Sequence, residues 1–261
     1  MRYGQGPLLF LLALPTAWAQ LAEPILTKSA LPFPAGAGSL KLDFASGIGR
    51  AGGASQALPE GILEVGGPGS GLEFLVRFPL LRVNRGPQEA TVLAGGQLAM
   101  GARYVLIGGP SRTYAVAVQG IVEVPTGSSE LDGDSTQIIP TVLAEWRPIR
   151  HTTIYSNLSL DRPIGGRGPK AGFLEYSNAV TWSGLNHIVP AFELTGSTNT
   201  MTGRTELVAL PEVLGAIGTH LEWKVGLQLG LIARTPRLGL RTQISWSWGG
   251  RLLEGLYRRD H

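Results

Sequence analysis

The chain has 261 residues, only 16% of them charged, with a formal net charge of +3 and no cysteine. The charged share falls well short of the roughly one quarter usual in soluble domains, and the absence of cysteine excludes disulfide frameworks, thiolate metal sites and a cysteine nucleophile. The near-neutral balance argues against nucleic acid as a partner.

The chain opens like an exported protein. Arg2 supplies a positive start, Pro7 to Pro15 a short apolar core, and Ala17-Trp-Ala19 a small-residue cleavage site. Residues 1–19 are therefore expected to be a signal peptide, with the mature chain starting at Gln20. The apolar run is too short to span a bilayer, and no later run of eighteen apolar residues supplies a transmembrane helix. Residues 20–38 carry Pro24, Pro32 and Pro34 and read as an irregular, plug-like segment.

Beyond that segment a period of two dominates. The predicted strands are 39–46, 59–66, 71–80, 91–107, 112–124, 136–147, 151–160, 172–183, 186–196, 203–214, 218–232 and 236–248. Successive side chains of a strand point to opposite faces. In 112–124, Tyr114, Val116, Val118, Val122 and Val124 oppose Gln119 and Glu123. The clearest pair spans Leu221 to Trp248. There Leu221, Trp223, Val225, Leu227 and Leu229 alternate with Glu222, Lys224, Gly226 and Gln228. After a break, Leu238, Leu240, Ile244 and Trp246 alternate with Gly239, Arg241, Gln243 and Ser245.

One wall of each strand is apolar and the other wet. A soluble two-sheet sandwich would pack the apolar wall inside; a membrane barrel would turn it to lipid. Export, no spanning helix and many amphipathic strands favour the barrel, the β-structure that pairs all its backbone groups within lipid. Connections expected to be long (47–58, 81–90, 125–135, 161–171, 197–202) alternate with short ones at 67–70, 108–111, 148–150, 184–185 and 215–217. The last long position, 233–235, is short. Eleven residues at about 3.3 Å each, tilted by about 40°, reach roughly 27 Å, near the height of an outer-membrane apolar band. Tyr104, Trp146, Trp182, Trp223, Trp246 and Trp248 are candidate girdle aromatics.

The expected fold is an all-β, transmembrane antiparallel β-barrel of about twelve strands over residues 39–248, with a tail at 249–261. Its lumen would receive Arg103, Glu123, Glu145, Arg147, Glu193, Glu222, Lys224 and Arg241. Charges in a narrow lumen need partners or water, so both signs point to interstrand pairs or a hydrated channel. Structural filling is the plain alternative.

Other chemistry is weakly signalled. His151, His187, His220 and His261 lack metal-ligand spacing, and no metal site or cofactor is expected. Asp132-Gly-Asp134 reads as a solvated turn rather than a calcium site. Gly165 to Lys170 lacks the ending of a phosphate loop. No Gly-x-Ser-x-Gly elbow occurs, and Ser156 or Ser177 beside a histidine is the weak enzyme alternative.

Short motifs occur in a fixed order. They are Leu58-Pro-Glu-Gly-Ile-Leu-Glu-Val-Gly66, Gly71-Leu-Glu-Phe-Leu-Val-Arg-Phe-Pro79, Gly95-Gly-Gln-Leu-Ala-Met-Gly-Ala-Arg-Tyr104, Val122-Glu-Val-Pro-Thr-Gly127 and His187-Ile-Val-Pro-Ala-Phe-Glu-Leu-Thr-Gly196. Over about residues 58–248 this succession resembles the outer-membrane transporter family named after the meta-pathway of phenol degradation. The resemblance implies an outer-membrane barrel transporting small aromatic or other apolar compounds, with no catalytic residues to carry over. The chain departs from typical barrels at its end, where residues 249–261 follow the last strand instead of a terminal aromatic. The expected function is passive uptake of a small solute by a monomeric, non-enzymatic outer-membrane channel in contact with lipid. The alternative is a closed barrel whose loops or periplasmic end contact a protein partner.

Overall fold

The computed structural model describes residues 26–48, 54–69, 71–79, 82–85, 92–94, 97–109, 111–126, 135–165, 171–185, 188–217, 220–232 and 238–249. The signal-peptide segment and the tail beyond 249 lie outside these residues. The strands are β1 (Gly38–Ile48), β2 (Ala54–Gly66), β3 (Leu72–Pro79), β4 (Arg82–Arg85), β5 (Val92–Ala94), β6 (Leu98–Gly108) and β7 (Tyr114–Val124). They continue with β8 (Thr136–Ile149), β9 (Thr152–Ile164), β10 (Phe173–Trp182), β11 (Ile188–Asn199), β12 (Thr205–Ile217), β13 (Leu221–Gly230) and β14 (Leu238–Trp248). No described helix is long and apolar enough to cross a membrane.

Every named pairing is antiparallel. Strand β1 pairs with β2 on one side and β14 on the other, so the sheet closes on itself. Twelve strands form the closed wall. The short β4–β5 hairpin stands apart, pairing with the first residues of β2, Ala54 to Ala57. Closure removes free sheet edges, which a barrel needs in lipid.

The period of two becomes two walls. On β14, Leu238, Leu240, Ile244 and Trp246 face outward and exposed, while Gln243, Ser245 and Ser247 are buried. On β13, Val225 and Leu227 face out, and Glu222 and Lys224 are buried. Tyr104, Trp146, Trp182 and Trp246 are all outward and exposed. They lie toward the rim carrying the short turns 67–71, 109–113, 150–151, 183–187 and 218–220.

Several strand limits differ from the sequence expectation. The stretch 91–107 is not one strand: Val92–Ala94 belongs to the accessory hairpin and β6 begins at Leu98. The connection expected at 47–58 shrinks to 49–53, because the ladder runs on to the pair Ile48 and Ala54. The last connection lengthens from 233–235 to 231–237. Long connections of the opposite rim are thus 80–97, 125–135, 165–172 and 231–237. The small residues Ala45, Ser46, Gly47, Ala54 and Ser55 carry little alternation, so backbone pairing rather than side-chain pattern extends β1 and β2.

Glycines make room for the outward aromatics. A Cβ placed on Gly215 would lie 2.3 Å from the Trp223 ring, and one on Gly61 would lie 2.2 Å from Phe78. Each ring lies over the glycine opposite it in the ladder, a device that restores packing where a strand lacks a side chain. Gly215→Val is expected to displace Trp223 and cost about 1–3 kcal/mol. The check is the urea midpoint of the folded barrel, which should fall.

Candidate functional site: an internal strap and a charged inner wall

Residues 26–37 precede β1 and carry no regular structure. Prolines 32 and 34 remove two backbone donors here, so this segment cannot complete a ladder. Instead it crosses the inside of the barrel. At the short-turn rim Gly36 N–H donates to Gly66 O at 3.1 Å, and Gly66 N–H donates to Ala37 O at 2.8 Å. Further in, Phe33 N–H donates to Glu73 Oε2 at 2.8 Å on β3. Ser29 Oγ donates to Glu145 Oε2 at 2.5 Å on β8, and Arg103 of β6 donates to Ser29 O at 2.5 Å. With the Asn157 amide turned to match its neighbours, Lys28 N–H donates to its oxygen at 2.6 Å, and its nitrogen donates to Lys28 O at 3.0 Å.

The strap ends on β11. Leu26 N–H donates to Glu193 Oε1 at 2.9 Å, and Thr27 donates to Glu193 Oε2 through N at 3.0 Å and Oγ1 at 3.1 Å. Between these anchors Ala30 is fully buried against Ala115, Ala117 and Leu143. The small alanines of β7 let the strap backbone approach the wall. The strap therefore bridges strands from β3 to β11 at the level of the lower barrel.

The eight sequence-predicted charges all lie on the inner side of their strands. Arg103 pairs with Glu73 at 2.6 Å, both almost wholly buried. Glu145 holds Ser29 and also pairs with Arg147, two residues along the same strand face. Glu193 holds the strap. Glu123 pairs with Arg77, which reaches it across Ala99, the small residue between them in the ladder. Glu222 accepts from Ser245 Oγ at 3.1 Å. Lys224 is buried opposite Gln243, and Arg241 lies 3.6 Å from Asp43. No single cluster gathers all eight: Arg103, Glu145 and Glu193 meet the strap, while Glu222, Lys224 and Arg241 line β13 and β14.

Sequence reading missed Lys41, Asp43, Glu60, Glu64, Glu73 and Arg77. Lys41 and Glu64 form a buried pair at 2.6 Å, and Arg77 Nε lies 3.1 Å from Glu60. The signal was there in Leu63-Glu-Val65 and Leu72-Glu-Phe74, where a charge sits between two outward apolar residues. Breaking the Arg103–Glu73 pair leaves the buried Glu73 carboxylate without its cation, held only by Phe33 N–H, so Arg103→Met should cost about 3–5 kcal/mol. Loss of the heat-modifiable gel band at a lower temperature than wild type checks this.

The remaining candidates are dispersed. His151 and His220 occupy turns, and His187 and His261 lie outside the described residues. Ser156 Oγ donates to Asn178 at 2.9 Å on the outward side. Among the described residues no group of histidine, aspartate and glutamate is placed to hold a metal ion. Asp132 and Asp134 lie outside the described residues, as does 166–170.

A closed antiparallel barrel, apolar outside and charged inside, defines the outer-membrane β-barrel class of fold. Solved structures agree. The chain is similar to the COG4313 outer membrane channel from Pseudomonas putida F1, with TM-score 0.63 and 11% identity, covering 87% of this chain and 99% of that one. It is similar to the KdgM porin in complex with disordered oligogalacturonate, with TM-score 0.58 and 10% identity over 80% and 99%. It is also similar to the NanC porin, with TM-score 0.54 and 10% identity over 81% and 98%. No family model and no curated protein matches the chain. The motifs that resemble the phenol meta-pathway transporters fall on β2, β3, β6, β7 and β11, and the solved neighbours are outer-membrane porins and channels.

Proposed function

We propose that the chain is an outer-membrane channel for passive uptake of small solutes, with the strap at 26–37 narrowing its periplasmic half. The observation that carries this reading is the closed barrel with a charged interior crossed by one irregular segment. A wall that existed only to be filled would be expected to be apolar, because buried ion pairs seldom improve on packed hydrocarbon. The resemblance to the phenol meta-pathway transporters supports small aromatic or apolar compounds as the solute class. Short turns face the periplasm in bacterial barrels, which puts the strap on that side.

The inner wall also bears on charge. Among the described inward residues, the acids Asp43, Glu60, Glu64, Glu73, Glu123, Glu145, Glu193, Glu212 and Glu222 outnumber the cations Lys41, Arg77, Arg103, Arg147, Lys224 and Arg241. An acidic saccharide such as that in the KdgM complex would meet repulsion here. The channel is therefore expected to prefer cations, read as the sign of the reversal potential in a potassium chloride gradient. Anion preference would contradict it.

A second reading has its own support. The strap and the pairs Lys41–Glu64 and Arg103–Glu73 fill the lower barrel, as a closed structural barrel with a protein partner would require. Planar-bilayer recording of purified, folded protein separates the two. Stepwise single-channel currents support the channel; their absence at every voltage supports the closed barrel.

A further inference from the structure

Strap contacts fall on the rim end of β2 through backbone bonds, and on β3, β6, β7, β8, β9 and β11. Among the described residues, no side-chain bond from the strap falls on the sector formed by β14 and β1. On it lie three inward polar side chains, each with an atom that meets no hydrogen-bond partner. Gln243 is 1% exposed, and both its Oε1 and its Nε2 are unmatched. Asp43 stands opposite Gln243 in the ladder, with Oδ1 unmatched. Arg241 follows two residues nearer the long-loop rim, with Nε unmatched and its fork 3.6 Å from Asp43 Oδ2.

Buried amides without partners are rare, because each costs the full desolvation of its polar atoms. An apolar side chain at 243 would fill the same space at no such cost. Exposure is graded along the sector: the Arg241 side chain is 26% exposed, the Asp43 side chain 12%, and Gln243 is the most buried. A molecule arriving from the long-loop side meets a guanidinium and a carboxylate first and the amide after them. A guanidinium takes a carboxylate through a fork of donors; a carboxylate takes an ammonium; an amide offers both a donor and an acceptor.

We infer that Arg241, Asp43 and Gln243 form a contact site for a small zwitterion, an amino-acid-like solute bearing one carboxylate and one ammonium, on the part of the inner wall that takes no side-chain bond from residues 26–37. This rests on the channel reading above and gives it a solute class distinct from apolar compounds. Lys224, opposite Gln243 in the adjoining strand, adds a cation at the inner end of the site.

Swelling of liposomes containing the full-length mature barrel tests it, with glycine as the zwitterion and arabinose as the uncharged comparator. Wild-type barrels should pass glycine. Gln243→Leu should slow glycine by about threefold or more, the share of one net hydrogen bond, while raising the temperature at which the folded gel band is lost. Asp43→Asn combined with Arg241→Gln should lower the glycine-to-arabinose ratio of rates. An unchanged ratio in folded variants would mean that water alone satisfies these groups, and overturns the site. A Gln243→Leu barrel that is both slower and less heat-stable overturns it too, since that is the mark of a structural role. Wild-type barrels that pass neither solute remove the channel reading itself, and the site with it. Barrels that pass arabinose but not glycine remove the site alone.

Discussion

Deleting residues 26–33 should raise single-channel conductance severalfold while leaving a folded, heat-modifiable barrel. The wall itself does not depend on these residues. Closure is made by the ladders of β1 with β2 and β14, which begin at Gly38. The strap, by contrast, brings donors to carboxylates that lie far apart in the chain: Glu73, Glu145 and Glu193. Glu193 is fully buried, and bonds from N–H groups to a charged acceptor contribute about 1.5–3 kcal/mol each. Without the strap those carboxylates must be hydrated, because a bare charge inside the wall is too costly. Water then enters where Ala30 packed against Ala115, Ala117 and Leu143. Glu193→Leu is the milder version, releasing Leu26 and Thr27 only, and should give a smaller rise with frequent closures. Equal conductance in the deletion and the wild type would show that the strap does not limit passage.

Leu227→Arg should impair membrane assembly, whereas Gln228→Ala should not. Leu227 faces outward at the middle of β13, opposite the equally outward Leu240 of β14. A cation on the lipid face near the midplane costs about 2–4 kcal/mol. Gln228 points to the other wall, beside Gly239, where water or polar groups can receive a changed side chain. The readout is the fraction of protein showing the heat-modifiable shift after refolding into vesicles. Equal tolerance at 227 and 228 would reverse the two faces.

The two strands around Leu227 were also the most legible part of the chain. Within each strand the alternation holds almost throughout, with Thr242 the one polar residue on the outward side. The same contrast made Arg103, Glu123, Glu145 and Glu193 readable as inner-wall groups. Where residues are small, as at Ala45-Ser-Gly47 or Ala54-Ser55, no contrast exists and the strand limits were misjudged. The accessory hairpin was missed for a related reason: Arg82–Arg85 and Val92–Ala94 are too short to show a period.

Local pattern by itself determined where the long strands run, which face of each is apolar, and that the described residues 26–37 would be irregular. These follow from the period of two and from proline's missing donor, properties of neighbours in sequence. Only the tertiary structure decided that Glu73, Arg103, Glu145 and Glu193 would grip one strap, and that Arg241, Asp43 and Gln243 would share one sector of the inner wall. Those groupings depend on register between strands and on closure of β1 onto β14, which bring together residues far apart in the chain. The physical reason is that alternation sets the side to which a side chain points, while its partners are set by long-range backbone pairing, on which local periodicity is silent.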